Sequence, residues 1–376
     1  MIFYLIPFIF LTILTFLEYS KRFDFLIKNK YFYYLITIFF IIFIGLRYEI
    51  GCDWNQYLEM YKKYNSLSFI EIIKTNIFSE QKFEELGHIF LSLISQNIYI
   101  TNLIYSIIFS IPLFYFCYQL KNKYFSILIS YPYFIVVIGM GPMRQAASVS
   151  LLFFLILLIS NRKYYTYILF TLISLLIHQS SILFNGLILG SLLSEVKKFK
   201  FSKINIFLLI LISLFFLNTL PSIISKILFY IQQYKQVILF NTDPEKIGTL
   251  VVSPAKSAIF IWIINLIPSL IFLINRNKLT LNNNLKNIFT TFSILEILVL
   301  PVVLLNSVIG YRLLLYFFPS SIYITSQIPD LNLLNIKKEY IINFIIFIAF
   351  ISLIIWLKFA FHSSCWIPYK NILFYI

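Results

Sequence analysis

Arg47-Tyr-Glu-Ile-Gly-Cys-Asp53 places one cation and two carboxylates, Glu49 and Asp53, just past a long apolar run, with Gly51 between the acids. An arginine beside paired acids can grip an anion and move a proton in one place. The same residues also make an ordinary helix end, with Arg47 snorkelling, Gly51 stopping the helix and the acids in water. Spacing alone leaves both readings open.

Gly139-Met-Gly-Pro-Met-Arg-Gln145 is the second stretch with chemistry in it. Pro142 is placed to open a helix, which puts Arg144 and Gln145 in its first turn. A cation there opposes the helix dipole unless an anion is present too. Helix start plus arginine makes a phosphate cradle; the plainer reading is an interfacial anchor. His178 ends an uncharged run and can act as a base or donate to a phosphate; a backbone-bonded histidine is the alternative. Arg312, in Ile309-Gly-Tyr-Arg312, opens another span, and arginine suits planar phosphate oxygens where lysine does not; here a snorkelling arginine is the alternative. Glu296 lies inside an apolar span, where a lone carboxylate is costly, so it is expected to be paired or to line a cavity. His88 is read as structural. His362-Ser-Ser-Cys365 is too sparse for a metal site, and no metal or cofactor is expected.

The elements that position these residues follow from composition. The chain has 376 residues, 60% of them hydrophobic and 12% charged, against about 25% charged in a soluble domain. The excess apolar surface must face lipid. The expected fold is all-α, a polytopic integral membrane protein forming a single transmembrane domain over 1–376. The net charge of +15 is assigned to topology and not to nucleic acid. Cys52, Cys117 and Cys365 are far apart, so neither a disulfide framework nor a zinc site is expected. No phosphate loop, Walker motif or dinucleotide fingerprint is present.

At about 20 apolar residues per crossing, about twelve spans are expected, near 2–18, 31–46, 101–118, 124–140, 143–160, 164–178, 179–194, 205–220, 256–274, 287–305, 309–327 and 339–358. The pair 164–178 and 179–194 can also be re-entrant, because only His178-Gln-Ser-Ser181 separates them. Lys21, Arg22, Lys28, Lys30, Lys121, Lys123, Arg162, Lys163, Lys197, Lys198, Lys200, Lys203, Arg276, Lys278, Lys286, Lys337 and Lys338 fall in alternate loops and mark the cytoplasmic face. Arg47, Asp53, Arg144, His178 and Arg312 then lie at the opposite, extracytoplasmic ends of their spans. Two longer loops on that face, about 47–100 and 221–255, are placed to cap a cavity. The first carries Tyr57, Met60, Tyr61 and Tyr64 at helical spacing, which reads as an interfacial helix.

Arg47-Tyr-Glu-Ile-Gly-Cys-Asp-Trp-Asn-Gln-Tyr57 resembles the signature of the EpsG/Wzy group of polysaccharide polymerases: an Arg-Tyr, then Gly-x-Asp-aromatic, then a tyrosine three residues on. Arg144-Gln145, His178-Gln-Ser-Ser181, Arg312 and the tail Trp366-Ile-Pro-Tyr-Lys-Asn-Ile372 are similar to further features of that group. Cys52 stands where a small residue such as Thr is expected. The likeness runs thinly from Arg47 to Tyr369.

The resemblance implies a glycosyltransferase with a GT-C-like helical bundle in a bacterial cytoplasmic (inner) membrane, active on the extracytoplasmic face. It would polymerise O-antigen or capsule repeat units, moving a growing glycan from undecaprenyl diphosphate to a lipid-linked acceptor unit. Its partners would be that lipid-linked oligosaccharide, membrane lipids and a chain-length regulator. On this expectation Arg47, Arg144 and Arg312 hold the diphosphate. Asp53 is the first candidate base and His178 the second. Glu49 orients the acceptor, and Gln145 and Tyr57 position it. The competing classes are a flippase or transporter of the lipid-linked oligosaccharide, whose charges would line a central path, and an O-antigen ligase. An O-acyltransferase would need its histidine on the other face.

Overall fold

Asn29, Asn97 and Asn282 each accept hydrogen bonds from backbone N–H groups two or three residues on, and each starts a helix. These caps satisfy N–H groups that a helix start otherwise leaves unpaired. The structure, a computed structural model, describes residues 1–20, 23–66, 71, 85–95, 97–191, 255–279, 281–305, 307–331, 336–360 and 362–374. The span expected at 205–220 lies outside these residues, as does the loop at 221–255 apart from its last residue. Much of 67–84 is also outside.

The described chain is helical. α1 (Ile2–Ser20), α2 (Lys30–Gly45), α3 (Trp54–Asn65), α4 (Leu86–Ile94) and α5 (Ile98–Tyr118) come first. α6 (Lys123–Ser130) runs on into a π-helical stretch, Tyr131–Ile138, and is followed by α7 (Met143–Ser160), α8 (Tyr164–Ile177) and α9 (Ser181–Gly190). After the undescribed region come α10 (Ala255–Asn275), α11 (Asn283–Leu298), α12 (Leu300–Leu305), α13 (Ser307–Leu314), α14 (Phe318–Gln327) and α15 (Lys338–Phe359). Among the described residues five helices are long and apolar enough to cross a membrane: Ile2–Ser20, Ile98–Tyr118, Met143–Ser160, Ala258–Asn275 and Lys338–Phe359. Three expected spans are interrupted. Pro132, Pro301 and Pro319 each sit at the start of the second piece, where a missing N–H is tolerated and the preceding turn cannot continue undisturbed.

The helices gather in two compact units. The first comprises residues 1–157, 173–178 and 325–376, and the second 158–172 and 179–324. In the first, Gly45 lets α2 approach α5 so closely that a Cβ would meet Leu103 and Ser106 at 2.9–3.0 Å. Ser106 donates to the Ile41 carbonyl at 2.6 Å across the same contact. In the second, Phe184 stacks on Tyr316 with ring centres 4.2 Å apart, and Gly310 packs against Val303.

One feature of the first unit organises its polar end. The segment after α15 returns and lies along the stretch after α2. Tyr48 N–H donates to the Lys370 carbonyl at 3.0 Å, Ile372 N–H to Leu46 at 2.9 Å and Gly51 N–H to Cys365 at 2.9 Å. Arg47 and Asn371 form an isolated antiparallel bridge. Lys370 Nζ reaches Glu49 Oε2 at 2.9 Å, and Tyr369 stacks on Phe43 at 4.8 Å while its hydroxyl donates to the Phe43 carbonyl. Cys52 and Cys365 are joined by a disulfide across 313 residues of chain, with Cα atoms 5.2 Å apart. That corrects the expectation of no disulfide: distance in sequence carries no information about distance in the fold. His362 lies beside the two sulfurs, which, bonded to each other, have no thiolate to offer a metal. Gly51 is the hinge of the clamp, at φ +95°, with the Met140 carbonyl in the space that a Cβ would fill.

Two outcomes test the clamp. Cys52 and Cys365 should react with a maleimide only after reduction, while Cys117 stays protected in the native protein by burial; labelling of either without reductant removes the disulfide. Gly51→Ala should cost about 1–3 kcal/mol, read as a lower melting midpoint, and an unchanged midpoint contradicts the contact.

Candidate functional site

Arg144 enters the site because the chain turns at Gly141. The Gly141 N–H donates back to Val137 at 3.0 Å, Met143 N–H to Gly141 at 2.8 Å, and Ala146 N–H to Pro142 at 2.8 Å, which starts α7. Trp366 locks this turn from below: its Nε1 donates to the Val136 carbonyl at 2.9 Å and its ring rests against Gly141. Arg144 therefore sits in the first turn of α7, as its spacing from Pro142 requires.

The anion that such an arginine calls for is present within the chain. Glu85, the residue before α4, makes an ion pair with Arg144 through Oε2 and accepts from His178 Nδ1 through Oε1 at 2.9 Å. Exposure of the three side chains is 17% for Arg144, 13% for Glu85 and 18% for His178, so the group is mostly covered but open along one side. Gly87 makes the arrangement possible. A Cβ there would lie 2.7 Å from the Leu176 carbonyl, so only glycine lets α4 come close enough to set Glu85 against His178. Burial pushes the Glu85 carboxyl up, but the His178 hydrogen bond and the Arg144 charge outweigh it and hold it at about 2.

α3 closes the other side. The Arg144 guanidinium lies over the Tyr57 ring, 5.5 Å from its centre, a cation–π contact in a largely desolvated place. Tyr57 in turn meets the His88 ring at 5.7 Å. His88 is fully buried, with Nδ1 3.0 Å from the Tyr105 hydroxyl. Burial, with Arg144 adding to it, draws its pKa down to about 3, so it is neutral. A neutral imidazole here supports Tyr57 without adding charge next to Arg144. Asp53 is the residue before α3, half-buried; its charge acts on both Tyr57 and Arg47.

The structure brings Arg144, His178, Asp53 and Tyr57 to one end of the first unit, with Gln145 buried beside Arg144. Three other expected site residues have different surroundings. Arg47 is only 1% exposed and donates to the carbonyls of Ile44 at 2.7 Å and Ile50 at 3.3 Å. Two of its guanidinium nitrogens are engaged by the last turn of α2 and the loop that follows it, and Tyr57 and Asp53 act on its charge. Glu49 stands at the surface, paired with Lys370 of the returning tail. Arg312 is exposed on α13, in the second unit. The residue that sequence reasoning missed is Glu85. It is one of seven acids between residues 47 and 100 and has no motif around it, and the one available signal was the anion that Arg144 demanded.

A family model described as the EpsG family matches residues 30–371, nearly the whole chain. No curated protein and no solved structure matches.

A pH experiment tests the cluster. The Glu85 carboxyl titrates from 4.5 when unfolded to about 2 when folded. Its contribution to stability is therefore fully present above about pH 4.5 and is lost as pH falls towards 2. Glu85→Gln should lower the melting midpoint at neutral pH and flatten its fall across that acid window; an identical acid limb in the variant removes the ion pair.

Proposed function

The chain belongs to the EpsG family, a Wzy-type polymerase family, and from that premise we propose that it is a repeat-unit polymerase that moves a growing glycan from undecaprenyl diphosphate to a lipid-linked acceptor unit. The observation that carries this reading is the Arg144–Glu85–His178 group at the first turn of α7. It combines a helix start, an arginine and an acid–base pair in one partly covered place, which is what transfer from a diphosphate needs.

In this mechanism the acceptor hydroxyl attacks the anomeric carbon of the donor. The bond from that carbon to the diphosphate oxygen breaks, and undecaprenyl diphosphate leaves with the electron pair. Arg144 binds the diphosphate and offsets the charge that grows on it. The incoming phosphate competes with Glu85 for Arg144. His178, held by Glu85 through Nδ1, takes the hydroxyl proton at Nε2. Asp53, close to Tyr57, is the second candidate for that proton. Tyr57 holds Arg144, Gln145 and Tyr57 position the acceptor, and Glu49, exposed at the surface, orients the acceptor sugar. Arg312, on α13 of the second unit, is given no part in this step. Arg47 supports the site from beneath and is not assigned to the ligand.

The reading places about twelve crossings in a GT-C-like bundle in the bacterial cytoplasmic membrane, with the site on the extracytoplasmic face. The loop lysines and arginines support that orientation. The Cys52–Cys365 disulfide, on the same end as Arg144, supports it independently, because such bonds persist on the oxidising side of a membrane.

The test is a reconstitution. Purified protein with synthetic undecaprenyl-diphosphate repeat units should form a ladder of products without nucleotide sugar. Arg144→Ala should reduce the ladder at least about a hundredfold at unchanged protein level, and His178→Ala should reduce it with a flattened pH profile. No ladder, with the lipid instead crossing liposome membranes, makes the protein a flippase; transfer only to a lipid A core makes it a ligase.

A further inference from the structure

The second unit contains a buried polar layer that the proposed transfer does not use. Glu296, in the apolar interior of α11, is fully buried, and among the described residues no basic side chain pairs with it. Its Oε2 accepts from Ser269 Oγ at 3.0 Å, and its backbone carbonyl accepts from Trp262 Nε1 at 2.8 Å.

These two contacts, with the Phe272–Phe289 ring contact at 6.2 Å, lay residues 262–272 of α10 along residues 289–296 of α11, two consecutive helices that run antiparallel. Asn265 lies one turn from Ser269 on the same face of α10, and Ser293 one turn from Glu296 on the same face of α11. Asn265, Ser269, Ser293 and Glu296 therefore share one layer between the two helices. Asn265 spends its amide nitrogen on the Leu314 carbonyl. What remains is a set of oxygens: Glu296 Oε1, Asn265 Oδ1 and Ser293 Oγ are each buried with no hydrogen-bond partner among the described residues.

A carboxylate in an apolar bilayer interior has to be neutralised. A proton would remove the charge but would supply a single donor to a layer with several idle acceptors. A monovalent cation removes the charge and engages the carboxylate, amide and hydroxyl oxygens together. A divalent ion would leave the layer with net positive charge inside the membrane. The donors are all oxygen, with no nitrogen or sulfur, which suits alkali cations and not transition metals. We propose that Glu296, Asn265, Ser269 and Ser293 form an alkali-cation site in the interior of the second unit, joining α10 to α11 by coordination where no ion pair does.

The proposal does not depend on the polymerase reading, and its test uses no glycan. The full chain in detergent is titrated with radioactive sodium at constant ionic strength, balanced with N-methyl-D-glucamine. Wild type should bind saturably, with about one ion per chain, and its melting midpoint should rise with sodium by linkage. Glu296→Gln should abolish both effects, and Asn265→Ala should weaken binding about tenfold or more. Wild-type protein with no saturable binding overturns the proposal whatever the variants do. So does wild type whose stability follows pH but not sodium, which would make Glu296 a protonated structural acid. Binding retained in both variants overturns it as well, since the ion would then sit elsewhere. If Glu296→Gln does not fold, Asn265→Ala and Ser293→Ala carry the same comparison.

Discussion

The Met140 carbonyl occupies the space where any side chain on residue 51 would lie. Much of the first unit's polar end depends on that contact. It presses the loop after α2 against the turn that opens α7, and so sets α3 and Tyr57 beside Arg144. The returning C-terminal segment holds the loop in place with backbone hydrogen bonds, the Tyr369–Phe43 stack and the Cys52–Cys365 disulfide. Trp366 ties the same segment to the π-helical stretch before Gly141. Two ends of the chain, more than three hundred residues apart, thus form one support under a single arginine.

This arrangement divides the stretch from Arg47 to Tyr57 into two kinds of work. Arg47, Gly51 and Cys52 build the clamp. Asp53 and Tyr57 face the site. A buried arginine bonded to its own chain's carbonyls is costly to desolvate and is tolerated only where those bonds replace water. Arg47 meets that condition by satisfying the Ile44 carbonyl in the last turn of α2, which no helical N–H reaches, and the Ile50 carbonyl beyond it. The tail motif Trp366-Ile-Pro-Tyr-Lys-Asn-Ile372 has the matching half of the same task, so the two most recognisable sequence features explain each other physically.

Glu85 gives the site its balance. Without it, Arg144 would place a positive charge at the positive end of a helix. With it, the arginine is pre-paired and oriented, and His178 is held through one ring nitrogen with the other left for chemistry. The second unit solves a related problem in the opposite way: Glu296 is buried in an apolar setting with a serine for company and no cation from the chain among the described residues.

The helical class, the apolar membrane character, the helix start at Pro142 with Arg144 in its first turn, and the order of motifs that marks the family were all legible in the sequence. Each of these is local: hydropathy, capping and breaker residues act within a few turns and can be read without the fold. The interruptions at Pro132, Pro301 and Pro319 were visible as residues but not as breaks, because apolar content on both sides masked them. It took the folded chain to show that Cys52 meets Cys365, that Arg47 is wholly buried while Arg144 stays partly exposed, and that Glu85 joins Arg144 and His178. Those facts rest on contacts between residues dozens to hundreds of positions apart, made possible by two glycines, Gly51 and Gly87, whose missing side chains let backbones meet. No local pattern encodes which backbone will fill that space.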